Sequence, residues 1–259
     1  MTPRAPSDPR SGIRLAAVLR VLAEGPSAQS ISSIAERAEL PVSTVHRVLE
    51  QMMETGFVER APGRLYRVGA EFSRLGALAA QKLNIAHLAR PMMERLVAEC
   101  NETCLLGLYL PKARKLALVE KIDSRYPLRY MANMYVHRNL VWGATGLSIL
   151  AWLPDDQQEE LLAAAPPSPA NASRVLDVAA VRKRLELIRE RGYAITSCER
   201  VQGAVGIAAP VFRAQAQVAG NLCLTIPTFR FEAHDEKRLA ELLIAAARTL
   251  SRSLGHAQA

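Results

Sequence analysis

Long apolar runs are missing from this 259-residue chain. No stretch approaches the roughly 18 consecutive apolar residues that mark a membrane-spanning helix, so no membrane partner is expected. Cysteine is sparse: four residues, Cys100, Cys104, Cys198 and Cys223, with no paired framework. Reduced thiols are the expectation. Cys100-x-x-x-Cys104 is not a usual zinc spacing and no histidine lies close to it in sequence, so no metal site is expected. Also absent are the glycine-rich phosphate loop, the G-x-G-x-x-G turn and the H-E-x-x-H helix. No cofactor is therefore expected. The enzyme reading shrinks to Cys198 or Cys223 paired with His234, with no nucleophile signature around either cysteine. Met1 to Arg10 holds Pro, Ser and Arg but no apolar signal core, which reads as a disordered arm of a cytoplasmic protein.

The charge balance favours a polyanionic partner only loosely. The formal net charge is +8. Residues 1–70 carry nine Arg/Lys and seven Asp/Glu, against 24 and 18 in the remainder. The excess does not concentrate at the N-terminal end, so bulk attraction to nucleic acid is weak support and the argument falls to motifs.

The informative stretch is Ser32 to Leu49. Ser33 and Glu36 have the spacing of a capping box, which marks a helix start. Ile34, Ala35 and Ala38 share one face, and Glu39-Leu40-Pro41 stops the helix because proline restricts the residue before it. Ser43 or Thr44 then caps a second helix. Val45, Val48, Leu49 and Met52 repeat at helical spacing and face inward. Ser43, Thr44, His46, Arg47, Glu50 and Gln51 remain outward. A polar helix carried on a packed one suits a DNA major groove. Phe57–Arg60 and Arg64–Val68 read as two short strands around Ala61-Pro62-Gly63, a hairpin wing bearing Arg64 and Arg67.

These residues carry a resemblance. P-x-S-T-V-H-R-V-L-x-x-M-x-x-x-G-x-V-E-R, followed by G-R-x-Y-R-V-G, resembles the winged helix of IclR-type transcriptional regulators. One departure is Val42, where the family usually has a basic residue. The resemblance implies a double-stranded DNA operator as partner, with Ser43, Thr44, His46 and Arg47 on the reading helix and Arg64 and Arg67 on the wing.

Before and after this unit the chain alternates helices and strands. Ser11 can cap a first helix with Leu15, Val18, Leu19 and Leu22 inward, ended at Glu24-Gly25-Pro26. Residues 11–70 then make a winged helix-turn-helix domain, a size that is marginal alone. Phe72, Leu75, Leu78, Ala79 and Leu83 stripe a helix over 71–84, read either as a core helix or as an interdomain linker; the resemblance favours the linker. Pro91 fits the first turn of the next helix, with Met92, Leu96 and Val97 inward. Strands are expected at Thr103–Leu110, Lys115–Ile122, Tyr126–Met131, Tyr193–Ser197, Val205–Val211 and Val218–Thr225. Helices are expected at Thr145–Leu153, from Asp177 to Gly192, and from Asp235 to the C-terminal region. The fold class is α+β, with residues 85–259 forming a central antiparallel sheet with helices packed on it.

The second half continues the resemblance. Asn101-Glu102-Thr103, Gly143-Ala144-Thr145-Gly146, Arg189-Glu190-Arg191-Gly192-Tyr193-Ala194 and the segment Gly203 to Val211 match IclR patterns, which implies a GAF-like effector-binding and oligomerisation domain. The implied small-molecule site falls on Gly143, Ala144 and Thr145, on Thr196, on Gly206, and on Cys223 with Thr225. Backbone N–H groups at a helix start suit a carboxylate. Relatives that bind small keto acids have Asp, Cys and two Ser at the last four positions. Thr, Gly, Cys and Thr stand here, a less polar set. An effector with an apolar or aromatic body is the resulting expectation. Arg125, Arg129, His137 and Arg138, just upstream, are either a solvated surface or an attractor for an anionic ligand.

The expected function is a DNA-binding regulator whose operator binding is modulated by that effector, a repressor ahead of an activator, acting as a homodimer or homotetramer. Two alternatives stand beside it: a ligand-binding module whose helix-turn-helix serves a protein contact, and the cysteine-dependent enzyme.

Overall fold

A computed structural model describes residues 11–82 and 84–256. The arm expected over residues 1–10 lies outside the described residues, as do Leu83 and the Ala79 side chain. The chain falls into two compact units, one up to residue 83 and one from residue 84.

In the first unit, α1 (Ser11–Glu24), α2 (Ile31–Ala38) and α3 (Val42–Glu54) pack around Val18, Ile34, Val45 and Leu49, all fully buried. The start of α2 departs from expectation. Ser30, not Ser33, is the cap: its side chain accepts the Ser33 N–H at 3.2 Å. Ser33 therefore sits in the third helical position, where it donates rather than caps. The α2 helix ends on Glu39 in the left-handed region, φ 54, with its N–H turned back to Ala35 and Glu36 carbonyls. Pro41, extended at ψ 141, precedes α3 with no side-chain cap, and its carbonyl accepts the Val45 N–H at 3.0 Å. Ser43 and Thr44 are thus inside the first turn, and their hydroxyls are not spent on capping.

The wing is β1 (Val58–Ala61) paired antiparallel with β2 (Leu65–Val68). Gln29 tethers it to the helices. Its backbone bridges Tyr66 in both directions, its buried side-chain amide donates to the Val21 carbonyl at 3.1 Å, and its Oε1 accepts Arg37 Nη1 at 2.6 Å. The helix α4 (Ala70–Lys82) follows directly.

The second unit opens with α5 (Asn84–Cys100). Pro91 lies inside this helix rather than in its first turn, and Met93, not Met92, is the fully buried methionine. One lost backbone hydrogen bond is outweighed by the apolar face of Ala89, Met93, Leu96 and Val97. A five-stranded, wholly antiparallel sheet follows, in the order β4-β3-β7-β6-β5. Its strands are β3 (Thr103–Leu110), β4 (Lys115–Ile122), β5 (Ala194–Ser197), β6 (Ala204–Phe212) and β7 (Val218–Pro227). The remaining helices are α6 (Gly143–Leu150), α7 (Asp155–Ala163), α8 (Val178–Arg191) and α9 (Asp235–Ser253).

The strand expected at Tyr126–Met131 does not form. The Arg125 N–H is taken by Asn101 Oδ1 at 3.0 Å and the Tyr126 N–H by Ser124 Oγ at 3.1 Å. Pro127 has no N–H to give a ladder. Residues 123–142 instead run as an irregular connection whose backbone bonds to the edge of β4 at Leu116 and Leu118. The α6 helix starts two residues earlier and ends three earlier than expected. The α7 helix had no counterpart in the sequence reading. By contrast, Asp177 caps α8 through the Ala180 N–H at 3.0 Å, and Gly192 closes it at φ 82.

The sheet separates two cores. On one face Leu222, Leu224 and Ile226 of β7 join Leu96 of α5 and Leu243 of α9. On the other, Cys223 joins Leu147 of α6 and Leu185 of α8. Alternation along the central strand therefore assigns odd-numbered residues to the α6 side. Asn221 confirms the parity: its Nδ2 donates to the Thr145 carbonyl at 2.5 Å and to Ser148 Oγ at 3.0 Å. No helix among the described residues is long and apolar enough to cross a membrane.

Candidate DNA-reading surface and effector cavity

On the first unit, the helix α3 turns one face outward. Ser43, His46 and Arg47 are exposed and Thr44 is half-buried, while Val45, Val48, Leu49 and Met52 are buried. His46 Nδ1 lies 3.5 Å from Glu50 one turn on. Arg47 has no ion-pair partner among the described residues. In the wing, Arg67 pairs with Glu59 directly across the hairpin at 2.7 Å. Arg64 is exposed at the turn in the left-handed region, φ 58, with no ion pair among the described residues. The two wing arginines are therefore unlike: one is shared with a carboxylate and one is open.

On the second unit, a cavity of about 350 Å³ opens on the α6 face of the sheet. Its wall is built from the 123–142 connection, the start of α6, and strands β3 to β7. Gly143, Ala144 and Thr145 line it, as do Thr196, Gly206, Cys223 and Thr225. All seven positions proposed from the sequence thus converge on one space. Of the four upstream basic residues, His137 and Arg138 line the cavity. Arg125 and Arg129 do not, and Arg129 pairs with Asp123 at 3.6 Å.

Two features of the wall differ from expectation. First, the opening N–H groups of α6 are already occupied. Gly143 donates to Glu199 Oε2 at 3.2 Å and Ala144 to Thr196 Oγ1 at 3.0 Å. A carboxylate does sit at this helix start, but it belongs to the protein. Glu199 is 6% exposed, and Arg184 meets its other oxygen at 2.8 Å. Second, the space at Gly206 is bounded. A Cβ built there meets the Ala144 Cβ at 3.3 Å, Thr196 Oγ1 at 3.8 Å and Cys223 Sγ at 3.9 Å. The missing side chain widens the wall only as far as these three groups.

Glu199, Arg200 and Tyr130 line the cavity and were not anticipated. The sequence signal was slight: two adjacent opposite charges in a strand connection, with nothing to show that both side chains fold back toward α6. The Arg200 guanidinium donates from Nη2 to the Trp142 carbonyl at 2.7 Å and to Asn139 O and Oδ1 at 2.8 and 2.9 Å. Gly143, at φ 77, leaves room for it, since a Cβ there meets Arg200 Cβ at 3.2 Å. Burial, and then the neighbouring Arg138, pull the Arg200 pKa down to about 10. Burial pushes the Cys223 thiol up to about 12. Cys223 is thus a protonated, apolar wall group at neutral pH. Cys198, in the β5–β6 connection, is not one of the residues that line this cavity. No group of three or more His, Cys, Asp or Glu among the described residues is placed to hold a metal ion.

Comparison with known proteins gives a concordant result. Residues 13–62 match the IclR helix-turn-helix domain, and residues 77–252 match the family described as bacterial transcriptional regulator IclR C-terminal. The DNA-binding transcriptional repressor YiaJ of Escherichia coli is 28% identical, over 96% of this chain and 89% of its own. A putative IclR transcriptional regulator from Silicibacter superposes with TM-score 0.85 at 25% identity, covering 96% of this chain and 98% of that one. An IclR homologue from Microbacterium hydrocarbonoxydans, crystallised with 4-hydroxybenzoate, superposes with TM-score 0.78 at 25% identity, covering 95% and 99%.

Proposed function

Because the chain belongs to the IclR family of bacterial transcriptional regulators, and is thereby a DNA-binding regulator, we propose that it is a ligand-responsive repressor whose effector has an apolar or aromatic body. The observation that carries this reading is the cavity on the α6 face. Its 350 Å³ stands at the small end of ligand pockets, which run from about 300 to 1,000 Å³. A two- or three-carbon acid would leave much of it unfilled. The wall is correspondingly apolar at Leu105, Leu118, Ala144, Val205 and Cys223. The aromatic acid in the Microbacterium homologue has the size and kind of body this space suits. The repressor assignment is supported by the name of the Escherichia coli relative.

Operator contacts are assigned to Ser43, Thr44, His46 and Arg47 in the major groove and to Arg64 and Arg67 from the wing. A homodimer or homotetramer is the expected form, since one winged helix offers few contacts. The helix α4 supports this: Leu75 and Leu78 are 38% and 41% exposed, apolar surface that a second copy can cover. In the same reading the linker over 71–84 passes the ligand state on to the DNA-binding domain, and the domain limits are residues 11–70 and 85–259.

Gel-shift titration against the chain's own upstream region tests the switch. Ligand and operator affinities must change by the same factor, because linkage is reciprocal. Calorimetry with glyoxylate, pyruvate and aromatic acids, on the parent and on Gly206→Cys, tests the effector class. Micromolar glyoxylate binding by the parent would overturn the apolar-body reading. So would an aromatic ligand indifferent to Gly206→Cys.

A further inference from the structure

The effector cavity contains two guanidinium groups that form no ion pair with a carboxylate among the described residues. Arg138 reaches it from the connection before α6 and Arg200 from the β5–β6 turn. Arg138 Nη2 donates to the Asn133 carbonyl at 2.9 Å, and its Nε is buried with no hydrogen-bond partner. Arg200 spends Nε and Nη2 on the Trp142 and Asn139 carbonyls and on Asn139 Oδ1, all of them neutral acceptors. Among the described residues no carboxylate comes within 4.0 Å of either side chain. Glu199, the adjacent acid, is committed to Arg184 at 2.8 Å and to the Gly143 N–H at 3.2 Å. Two charges close enough to repel, half removed from water and unpaired, are costly to hold. Burial and Arg138 lower the Arg200 pKa and the nearby Glu199 partly opposes them, leaving it at about 10, so the group is charged at neutral pH.

The start of α6 cannot supply the missing anion site through its first two amides, because Thr196 and Glu199 hold them. We propose that Arg138 and Arg200 together form the anchor for a carboxylate on the effector, whose apolar body lies against Leu105, Leu118 and Cys223. This deepens the reading of the cavity as the effector site and rests on it. The guanidinium donors left over after the carbonyl bonds are made, Nη1 on Arg200 and Nη1 on Arg138, suit a carboxylate, which accepts at both oxygens. A neutral amide of the same shape loses the charge-assisted bonds and leaves the repulsion between the arginines in place.

The test is calorimetry on the full chain with benzoate, phenylacetate and 4-hydroxybenzoate, each beside its primary amide. At least one acid should bind the parent. Its amide should bind about tenfold to a hundredfold more weakly, the loss expected for hydrogen bonds to a charged group. Arg138→Gln and Arg200→Lys should each weaken the acid by a similar factor and leave the amide unchanged. Arg200 also holds two backbone carbonyls, so its variant carries a folding risk. Arg138→Gln gives up one such bond and keeps the test open. Failure of all three acids to bind, equal binding of acid and amide, or an acid indifferent to Arg138→Gln would each overturn the anchor. Operator affinity, measured in parallel with the same acid, separates the two claims. Acid binding that needs both arginines but leaves operator affinity unmoved keeps the anchor and removes the effector role. A ligand that shifts operator affinity and ignores both variants does the reverse.

Discussion

The Thr196 hydroxyl on β5 accepts the Ala144 N–H at the head of α6, 3.0 Å away, and both residues are buried. One short side chain thus fixes where the helix starts relative to the edge of the sheet. It also decides what the cavity can offer a ligand, because the amide it holds is no longer available. Thr196→Val keeps the shape and removes the acceptor. A buried amide left unpaired costs about 1–3 kcal/mol, so chemical denaturation should show a loss of that order. Thr196→Ser should restore most of it. An unchanged midpoint in Thr196→Val would mean that the tie contributes nothing to stability.

Arg47 is the outward cation of α3 without an ion pair among the described residues. If it reads a base edge, Arg47→Ala should weaken operator binding by about 1–3 kcal/mol and relax specificity at one position. Fluorescence anisotropy with the operator and single-base variants measures both. A variant that binds as the parent does removes Arg47 from the reading surface.

The wing makes a prediction about salt. Arg64 is open, whereas Arg67 is shared with Glu59 at 2.7 Å. Arg64→Ala should weaken binding to every sequence and reduce the salt slope by about one. Arg67→Ala should do less, and Glu59→Gln, which frees Arg67, should tighten binding at low salt. The opposite ranking of the two arginine variants would show that the Arg67–Glu59 pair opens on DNA.

Thiol chemistry tests the wall of the cavity. Cys104 is fully buried, Cys223 is 2% exposed, and burial raises both thiols, Cys223 to about 12. Both should resist alkylation at about pH 8, where a free thiol reacts. The sign of the stability effect follows. Between the unfolded value near 9 and the folded value near 12, the unfolded chain gives up its proton first. The contribution to stability is therefore whole below about pH 9 and is lost as pH rises toward 12. Arg200, lowered to about 10, works in the opposite sense above that pH. The comparison of parent with Cys223→Val is best made from about pH 8 to 10, and the parent should lose more stability across it. Rapid labelling of Cys223 in the native protein would show that the cavity wall opens.

Much of this was legible in the sequence because it rests on local rules. The α3 face, the wing and the α8 caps follow from periodicity, turn residues and a capping aspartate. The seven cavity positions were found through family patterns, and they lie far apart in sequence. What was not legible depends on placement rather than on residue type. Tyr126–Met131 looks like a strand by composition, yet the Tyr126 N–H goes to Ser124 and the preceding Arg125 N–H to Asn101. Ser33 resembles a cap, but Ser30 performs that role because the helix begins a turn earlier. Arg138 was one of four upstream basic residues, and only placement separated it from Arg129. Arg200 passed unnoticed because its partners, Asn139 and Trp142, lie some sixty positions away.

The parity of β7 has a consequence for how such a chain can diversify. Cys223 and Thr225 line the cavity, while Leu222, Leu224 and Ile226 belong to the core under α5 and α9. Cavity wall and core are written on alternate letters at the end of the same ten-residue strand. Descendants can therefore reshape the cavity by changing one set of letters while the other stays fixed, so a change of cavity shape need not pass through an unstable ancestor.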